Sequence, residues 1–146
     1  MATTVSVTWV GVILSFIATF ALNMTYFSAK GLYPAWVRAL GQDPQRNAER
    51  GQSSNMAPAF TLVTIGLFVQ AFVMDWIIQA AHALYGHDVS FIGGIGIGAG
   101  VGAGIAAAAS LGHRVFSGQG LRVWIIEVGA DILGLALMGA ILSFWH

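Results

Sequence analysis

Three acidic side chains lie within stretches of the chain that are otherwise apolar: Asp75, Glu127 and Asp131. Ionisable groups inside a bilayer are costly, and they are candidates for a functional role. Glu127 and Asp131 are four residues apart, so on a helix they share one face and their charges repel. We therefore expect one of them to be protonated or to have a cationic partner. Arg114 and Arg122 are the candidate partners of Glu127, because they lie at the same membrane face.

Neutral polar residues accompany both groups of carboxylates. Asn23 lies at a depth similar to that of Glu127, so its amide is placed to hydrogen-bond either nearby carboxylate. Gln79 and His82 follow Asp75 by four and seven residues, which places all three in one polar stripe on a helix. The predicted intramembrane polar sites are Asn23, Asp75, Gln79, His82, Glu127 and Asp131.

Two interpretations of these groups compete. In the first, the carboxylates form a proton or cation pathway across the membrane. In the second, each carboxylate pairs with a neighbouring helix and fixes its register, as polar residues do in helical bundles. Roughly 13 Å of axial rise separates Asp75 from the other two carboxylates, which favours pairing over conduction. A substrate or lipid site is a third possibility.

The composition assigns these residues to a membrane protein. Of the 146 residues, 57% are hydrophobic and 8% are charged, whereas soluble domains carry about 25% charged residues. Six basic residues balance six acidic ones, so nothing indicates nucleic-acid binding. The chain has no cysteine, and the set His82, His87 and Asp88 is loosely spaced and lacks a fourth ligand. With no nucleophile–base arrangement either, we expect no metal, no other cofactor and no enzymatic activity.

Four apolar stretches are long enough to cross a membrane, which takes about 20 residues. Their length and their lack of alternation exclude strands. We predict an all-α fold in which residues 1–146 form a single transmembrane domain, a bundle of four helices. The predicted spans are Val5–Ser28, Pro58–Leu84, Phe91–Gly112 and Val123–Trp145.

All six basic residues belong to the two connections that four spans place on one side of the membrane. The positive-inside rule predicts that this side is cytoplasmic. We therefore expect a multi-pass protein of the inner membrane with both termini on the outer, periplasmic side. In the first connection, the aromatic, weakly basic segment Leu32–Leu40 predicts a short interfacial helix. The polar segment Gly41–Asn55 predicts a solvated connector.

The third span is rich in glycine. Its glycines form two ridges with a spacing of four residues, and such ridges let another helix approach closely. We therefore predict that this span is the packing centre of the bundle, that it touches more than one neighbour, and that it is a candidate subunit interface. The first ridge comprises Gly94, Gly98 and Gly102, and the second comprises Gly96, Gly100 and Gly104.

Two further sets of residues carry a family resemblance. The first comprises Trp9, Tyr26, Ser28, Trp36 and Leu40-Gly41, and the second comprises Val115-Phe116, Leu121–Trp124, Gly129 and the ending Leu137–Leu142 with Trp145. In these residues the chain resembles the DUF1761 family of small bacterial and fungal four-helix membrane proteins. The resemblance implies that architecture and no established activity. The chain departs from the family pattern at Asn23, Glu127 and Asp131, where a small residue, Asn and His are usual.

Taken together, these features predict a non-catalytic membrane protein. Its expected role is that of an interaction or accessory subunit, either in a larger membrane complex or in a homo-oligomer. Its expected partners are the lipid bilayer and other membrane proteins or further copies of itself, and not nucleic acid. The alternative is a small proton- or cation-coupled transporter or channel that uses the intramembrane carboxylates.

Overall fold

The structure, a computed structural model, describes residues 6–145, and these fold into helices with no strand among them. Four of the helices are long and apolar enough to span a membrane, as predicted. Val5, where the first span was expected to begin, lies outside the described residues. The helices are α1 Trp9–Tyr26, α2 Tyr33–Ala39, α3 Pro44–Ser53, α4 Ala57–Tyr85, α5 Phe91–Phe116 and α6 Gly120–Leu142.

The outer surface of the spanning helices is apolar, which suits contact with lipid rather than with water. Large hydrophobic side chains point outward along all four, for example Leu62 on α4 and Ile92 on α5. In a bilayer a helix satisfies its own backbone hydrogen bonds, so such a surface is stable there. The chain is therefore a multi-pass membrane protein. We call the end where α1 and α5 finish and α4 and α6 begin the basic end, because the six basic residues lie there, and the opposite end the far end.

Helix α6 is the centre of the bundle, which corrects the prediction for the third span. It packs against α1, α2, α4 and α5, whereas α5 packs mainly on α6 and only slightly on α4. Glycines of α6 face two neighbours, Gly129 and Gly134 towards α1 and Gly139 towards α5, so close approach is possible on more than one side. The buried core is made by α1, α4 and α6 with one residue of the α4–α5 turn, and it comprises Val12, Leu67, Ala71, Met74, Ile78, Val89, Leu135, Met138 and Leu142.

The first glycine ridge is the contact surface between α5 and α6. A methyl group added at Gly94, Gly98 or Gly102 would lie closer than 3.0 Å to the α6 backbone, a distance that Cβ atoms do not reach. Gly139 on α6 is equally tight against Gly94. The two backbones therefore touch through glycine along the first ridge.

Within α5, residues Gly102–Ala107 form a π-helical segment, which the sequence did not indicate. Such segments widen a helix locally and alter which side chains share a face. At its end the carbonyl of Ala107 accepts a hydrogen bond from Trp124 Nε1 of α6 at 3.1 Å. The irregular turn of α5 is thus tied to the central helix.

The connection at the basic end contains two helices. The predicted interfacial segment forms α2, whose Val37 is fully buried. The polar segment was expected to be a connector, but most of it forms the solvent-exposed helix α3. The Asp43 carboxylate accepts hydrogen bonds from the backbone N–H groups of Gln45 and Arg46 at 2.9 and 3.0 Å, which caps this helix.

Candidate functional site

Glu127 is held by two donors at the basic end of the bundle. Its Oε2 atom lies 2.6 Å from Arg114 Nε, and its Oε1 atom accepts a hydrogen bond from Trp36 Nε1 at 2.9 Å. Arg114 also donates to Gln119 Oε1 at 2.6 Å, which fixes the guanidinium in place. Of the two predicted cationic partners, Arg114 is the one that pairs with Glu127. The contact joins α2, α5 and α6.

Asn23 takes a different partner from the one predicted. Its Nδ2 group donates to the backbone carbonyl of Thr19, one turn earlier on α1, at 3.0 Å, and not to a carboxylate. Close to Asn23, the Tyr26 hydroxyl joins α1 to α6 by donating a hydrogen bond to the carbonyl of Ile126 at 2.9 Å. This hydroxyl occupies the space that a side chain at position 129 would need, and Gly129 leaves that space open.

Asp131 lies one turn deeper than Glu127 and lines a cavity. The carboxylate is half-buried, and within residues 6–145 it makes neither a hydrogen bond nor an ion pair. The cavity, which we call the inner cavity, has a volume of about 250 Å³ and lies between α1, α4 and α6. It is lined by Thr19, Asn23, Val63, Gly66, Leu67, Gln70, Ala130, Asp131 and Gly134. One of the two carboxylates was expected to be protonated or to have a cationic partner, and Glu127 is the one that has such a partner.

A second, larger cavity adjoins the inner cavity at the basic end. This vestibule has a volume of about 420 Å³, and its wall is mostly aromatic and aliphatic. It shares Asn23, Val63 and Leu67 with the inner cavity, so the two spaces are neighbours. The vestibule is lined by Phe20, Asn23, Met24, Phe27, Tyr33, Trp36, Phe60, Val63, Leu67 and Glu127.

The splayed start of α4 creates both cavities. Its first ten residues, positions 57–66, are exposed except for the half-buried Thr64, so this end of α4 stands away from the bundle. From Leu67 onward the helix returns to the core. The groove between α1 and α4 therefore opens sideways towards the lipid at the basic end and is closed towards the far end.

Asp75 is buried at the far end of the bundle, where it binds the start of α1. The side chain is fully buried, and its Oδ2 atom accepts a hydrogen bond from the backbone N–H of Thr8 at 3.0 Å. Thr8 is the residue that precedes α1, so the carboxylate sits at the positive end of that helix dipole. Gln79 Nε2 donates to Thr8 Oγ1 at 2.9 Å and to the Trp145 carbonyl at 3.2 Å. Asp75 and Gln79 thus tie α4 to both ends of the described chain.

His82 belongs to the turn between α4 and α5. Its Nδ1 atom accepts a hydrogen bond from the backbone N–H of Val89 at 2.8 Å, and Asp88 Oδ1 lies 4.0 Å from the same nitrogen. Gly86, with a φ angle of 69°, ends α4 in the left-handed conformation that glycine tolerates. The predicted polar stripe of α4 therefore has two separate structural roles. Asp75 and Gln79 hold the start of α1, and His82 stabilises the turn between α4 and α5. The described residues include no group of three metal-ligating side chains.

The two polar groups are separated by the core. Val12, Ala71, Met74 and Met138 are buried in the apolar cluster that fills the bundle between Asp75 and the inner cavity. The buried polar side chains of α1 along this stretch are Ser15 and Thr19, and their hydroxyls donate to the backbone carbonyls of Val12 and Gly134 at 3.0 and 3.4 Å. The geometry of one chain therefore provides a polar pocket open at one end, rather than a path from face to face.

The second glycine ridge faces away from the bundle. A methyl group added at Gly96, Gly100 or Gly104 would meet no atom of another described element within 4 Å. All three residues are exposed, and they lie on the side of α5 that turns away from α6. The ridge is a shallow groove on a lipid-facing helix, and its use as an interface remains a prediction.

Three contributors to these sites were not found from sequence. Trp36 was assigned to a membrane-anchoring segment, and nothing in the sequence indicated that its indole N–H reaches Glu127. Thr8 contributes a backbone N–H, and no sequence pattern marks such a donor. Gln70 lines the inner cavity, and its position in the sequence of α4 does not reveal the groove beside it.

Comparison with known proteins identifies the family of the chain. The profile of the family DUF1761, described as a protein of unknown function, matches residues 10–143, which is nearly the whole chain. No curated protein and no solved structure matches. A function therefore has to be inferred from the residues and geometry of this chain.

Proposed function

Because the chain belongs to the DUF1761 family, whose function is unknown, we propose from its own geometry that it is a non-catalytic interaction or accessory subunit of the membrane. The observation that carries this proposal is the exposed ridge of Gly96, Gly100 and Gly104. The ridge would receive a helix of another protein, either a subunit of a larger membrane complex or a second copy of the chain.

Close packing is the physical reason for such a ridge. Glycine costs about 1 kcal/mol relative to alanine within a helix. Three outward glycines therefore weaken α5, a cost that contact with another helix would offset. Glycines at a spacing of four allow backbone-to-backbone contact between membrane helices. The opposite ridge of the same helix is used in this way against α6, at Gly98 and Leu135. A second helix on the outer ridge would make the same kind of contact.

The proposed location follows from charge. The six basic residues lie at one end of the bundle, and the positive-inside rule would place this end in the cytoplasm. We accordingly propose the inner membrane with both termini on the outer side.

One prediction tests the proposal directly. We expect Gly100→Leu to dissociate the protein from its assembly, because the leucine side chain fills the groove that the partner helix would enter. Extraction from native membranes in a mild detergent, followed by light scattering and mass spectrometry of co-purified subunits, measures the effect. Wild-type chain should elute as an assembly and the variant as a single chain with unchanged helix content.

Gly66→Leu is the matched control, because Gly66 is also exposed and has no described neighbour within 4 Å, but lies on α4. It should leave the assembly intact. An assembly that survives Gly100→Leu, or a wild-type protein that is already a single chain in native membranes, would refute the proposal. The mass of the wild-type assembly tells a homo-oligomer from a complex with other subunits.

The second candidate is a small proton- or cation-coupled transporter or channel. The unpaired Asp131 carboxylate in the inner cavity favours it, since ionisable groups in cavities mark many ion and substrate pathways. The apolar core between Asp131 and Asp75 opposes it, because a single chain would have to open that core to conduct. Flux of protons or cations into liposomes that contain the purified protein would favour this candidate.

A further inference from the structure

Three polar side chains meet at the inner cavity with hydrogen-bonding capacity unused. Asp131 makes no hydrogen bond or salt bridge within the described residues, Gln70 is exposed at mid-helix, and Asn23 uses only its Nδ2 group, in a bond to its own helix. In the hydrocarbon region each unsatisfied polar group costs roughly several kcal/mol of free energy, because no water replaces the missing hydrogen-bond partner. These groups therefore require an occupant with polar character.

The charge of the site selects a cationic occupant. Glu127 is already neutralised by Arg114 and hydrogen-bonded to Trp36. Asp131, at the deep end of the paired cavities, forms no salt bridge within the described residues, and Arg114 acts on it only from beyond salt-bridge distance. Opposite charge attracts more strongly at low dielectric than in water, so a cation gains most at this position and an anion loses most.

The vestibule supplies an aromatic surface for the apolar part of such a cation. Phe27 packs edge-on against Trp36 with their ring centres 6.1 Å apart, and Tyr33 lies beside Trp36 at 6.2 Å. The Glu127 contact holds the Trp36 indole in place. Aromatic faces attract cations and delocalised positive charge, and they do so more strongly away from water.

Access to the site is sideways from the bilayer. Phe60 on α4 and Met24 on α1 stand at the mouth and are 52% and 51% exposed. A hydrophobic ion that has partitioned into the membrane can enter between these side chains without crossing water. The vestibule, at about 420 Å³, lies within the range of about 300–1,000 Å³ that is typical of small-molecule sites, and the inner cavity adds about 250 Å³ beside it.

We propose that the vestibule and the inner cavity form one binding site for a hydrophobic organic cation. The cationic centre lies towards Asp131, with Asn23 and Gln70 as additional polar contacts, and the apolar body lies against the aromatic wall around Trp36. The site is independent of the proposed subunit function, because no residue of α5 lines either cavity. Either proposal can therefore fail without the other.

Equilibrium dialysis of radiolabelled tetraphenylphosphonium tests this site. The full-length protein is held in nanodiscs of phosphatidylcholine, and empty nanodiscs correct for partition into lipid. We expect saturable binding of one cation per chain. Asp131→Asn should raise the Kd about tenfold or more, because it removes the counter-ion from a low-dielectric site. Phe60→Ala, at the exposed mouth, should raise the Kd about threefold through loss of an aromatic contact.

Two controls separate this site from general attraction to lipid or charge. Asp88→Asn removes an exposed carboxylate at the far end and should leave the Kd unchanged. Tetraphenylborate has the same shape and the opposite charge, and it should show no saturable binding. Absence of saturable tetraphenylphosphonium binding would overturn the proposal. So would equal Kd values for Asp131→Asn and Asp88→Asn, or, if Asp131→Asn does not fold, an unchanged Kd for Phe60→Ala.

Discussion

Replacement of Gly98 by alanine is expected to destabilise the bundle by about 3 kcal/mol, the upper range for an overpacked contact. The new Cβ atom would lie closer than 3.0 Å to the carbonyl oxygen of Leu135, and a backbone atom cannot move aside alone. Helices α5 and α6 would have to separate along their whole contact. The free energy of unfolding, measured by following helix content during titration with a denaturing detergent, gives the loss.

Gly100→Ala is the matched control for this variant. It makes the same change two residues away on the same helix, where the methyl group meets nothing within 4 Å among the described residues. It should leave stability unchanged or raise it by up to about 1 kcal/mol, since alanine favours helix over glycine. Similar unfolding free energies for the two variants would contradict the assignment of Gly98 to the α5–α6 contact.

Removal of the Arg114 charge is expected to have the second largest effect. Arg114→Met keeps the apolar stem but leaves Glu127, which is only 19% exposed, without its counter-ion. Breaking a fully buried pair costs about 3–5 kcal/mol. Because the Arg114 side chain is 38% exposed, water screens part of the interaction, and we expect a smaller loss of about 1–3 kcal/mol. The same unfolding titration measures it.

A double variant distinguishes the Arg114–Glu127 ion pair from a general effect of removing a charge. Glu127→Gln keeps an oxygen that accepts from Trp36, and the double variant Arg114→Met with Glu127→Gln should be more stable than the sum of the single losses predicts. Arg122→Met removes an exposed charge near the same end and should change stability little. Strict additivity in the double variant, or an equal loss for Arg122→Met, would argue against the ion pair.

The features that depend on local composition could be predicted from the sequence. Span lengths follow from apolar runs, because a membrane requires continuous helix across its full thickness. The structure has four helices long and apolar enough to do so, as predicted. The choice of Arg114 and Arg122 as candidate partners followed from side and depth. Asp43 followed by Pro44 is a typical helix start, so α3 was predictable in principle. The polar composition of the segment indicated a connector instead.

Features that depend on how helices meet could not be predicted. The two glycine ridges of α5 are equivalent in sequence, and only the position of α6 decides that Gly98 faces inward and Gly100 outward. The groove beside Asp131 arises because the start of α4 leaves the bundle, which no residue pattern on α4 indicates. Asn23 bonds to its own helix because a nearby carbonyl competes with the more distant carboxylates.

The most direct test of the central claim is photo-cross-linking from the outer face of α5. The chain has no cysteine, so a single introduced cysteine can carry a benzophenone label alone. Ala103→Cys places the label beside the ridge of Gly100 and Gly104, and Leu62→Cys places it on exposed α4 as the control. In native membranes we predict a discrete protein adduct from position 103 and none from position 62. No discrete adduct at position 103, or equal adducts at both positions, would contradict an interaction role for this face.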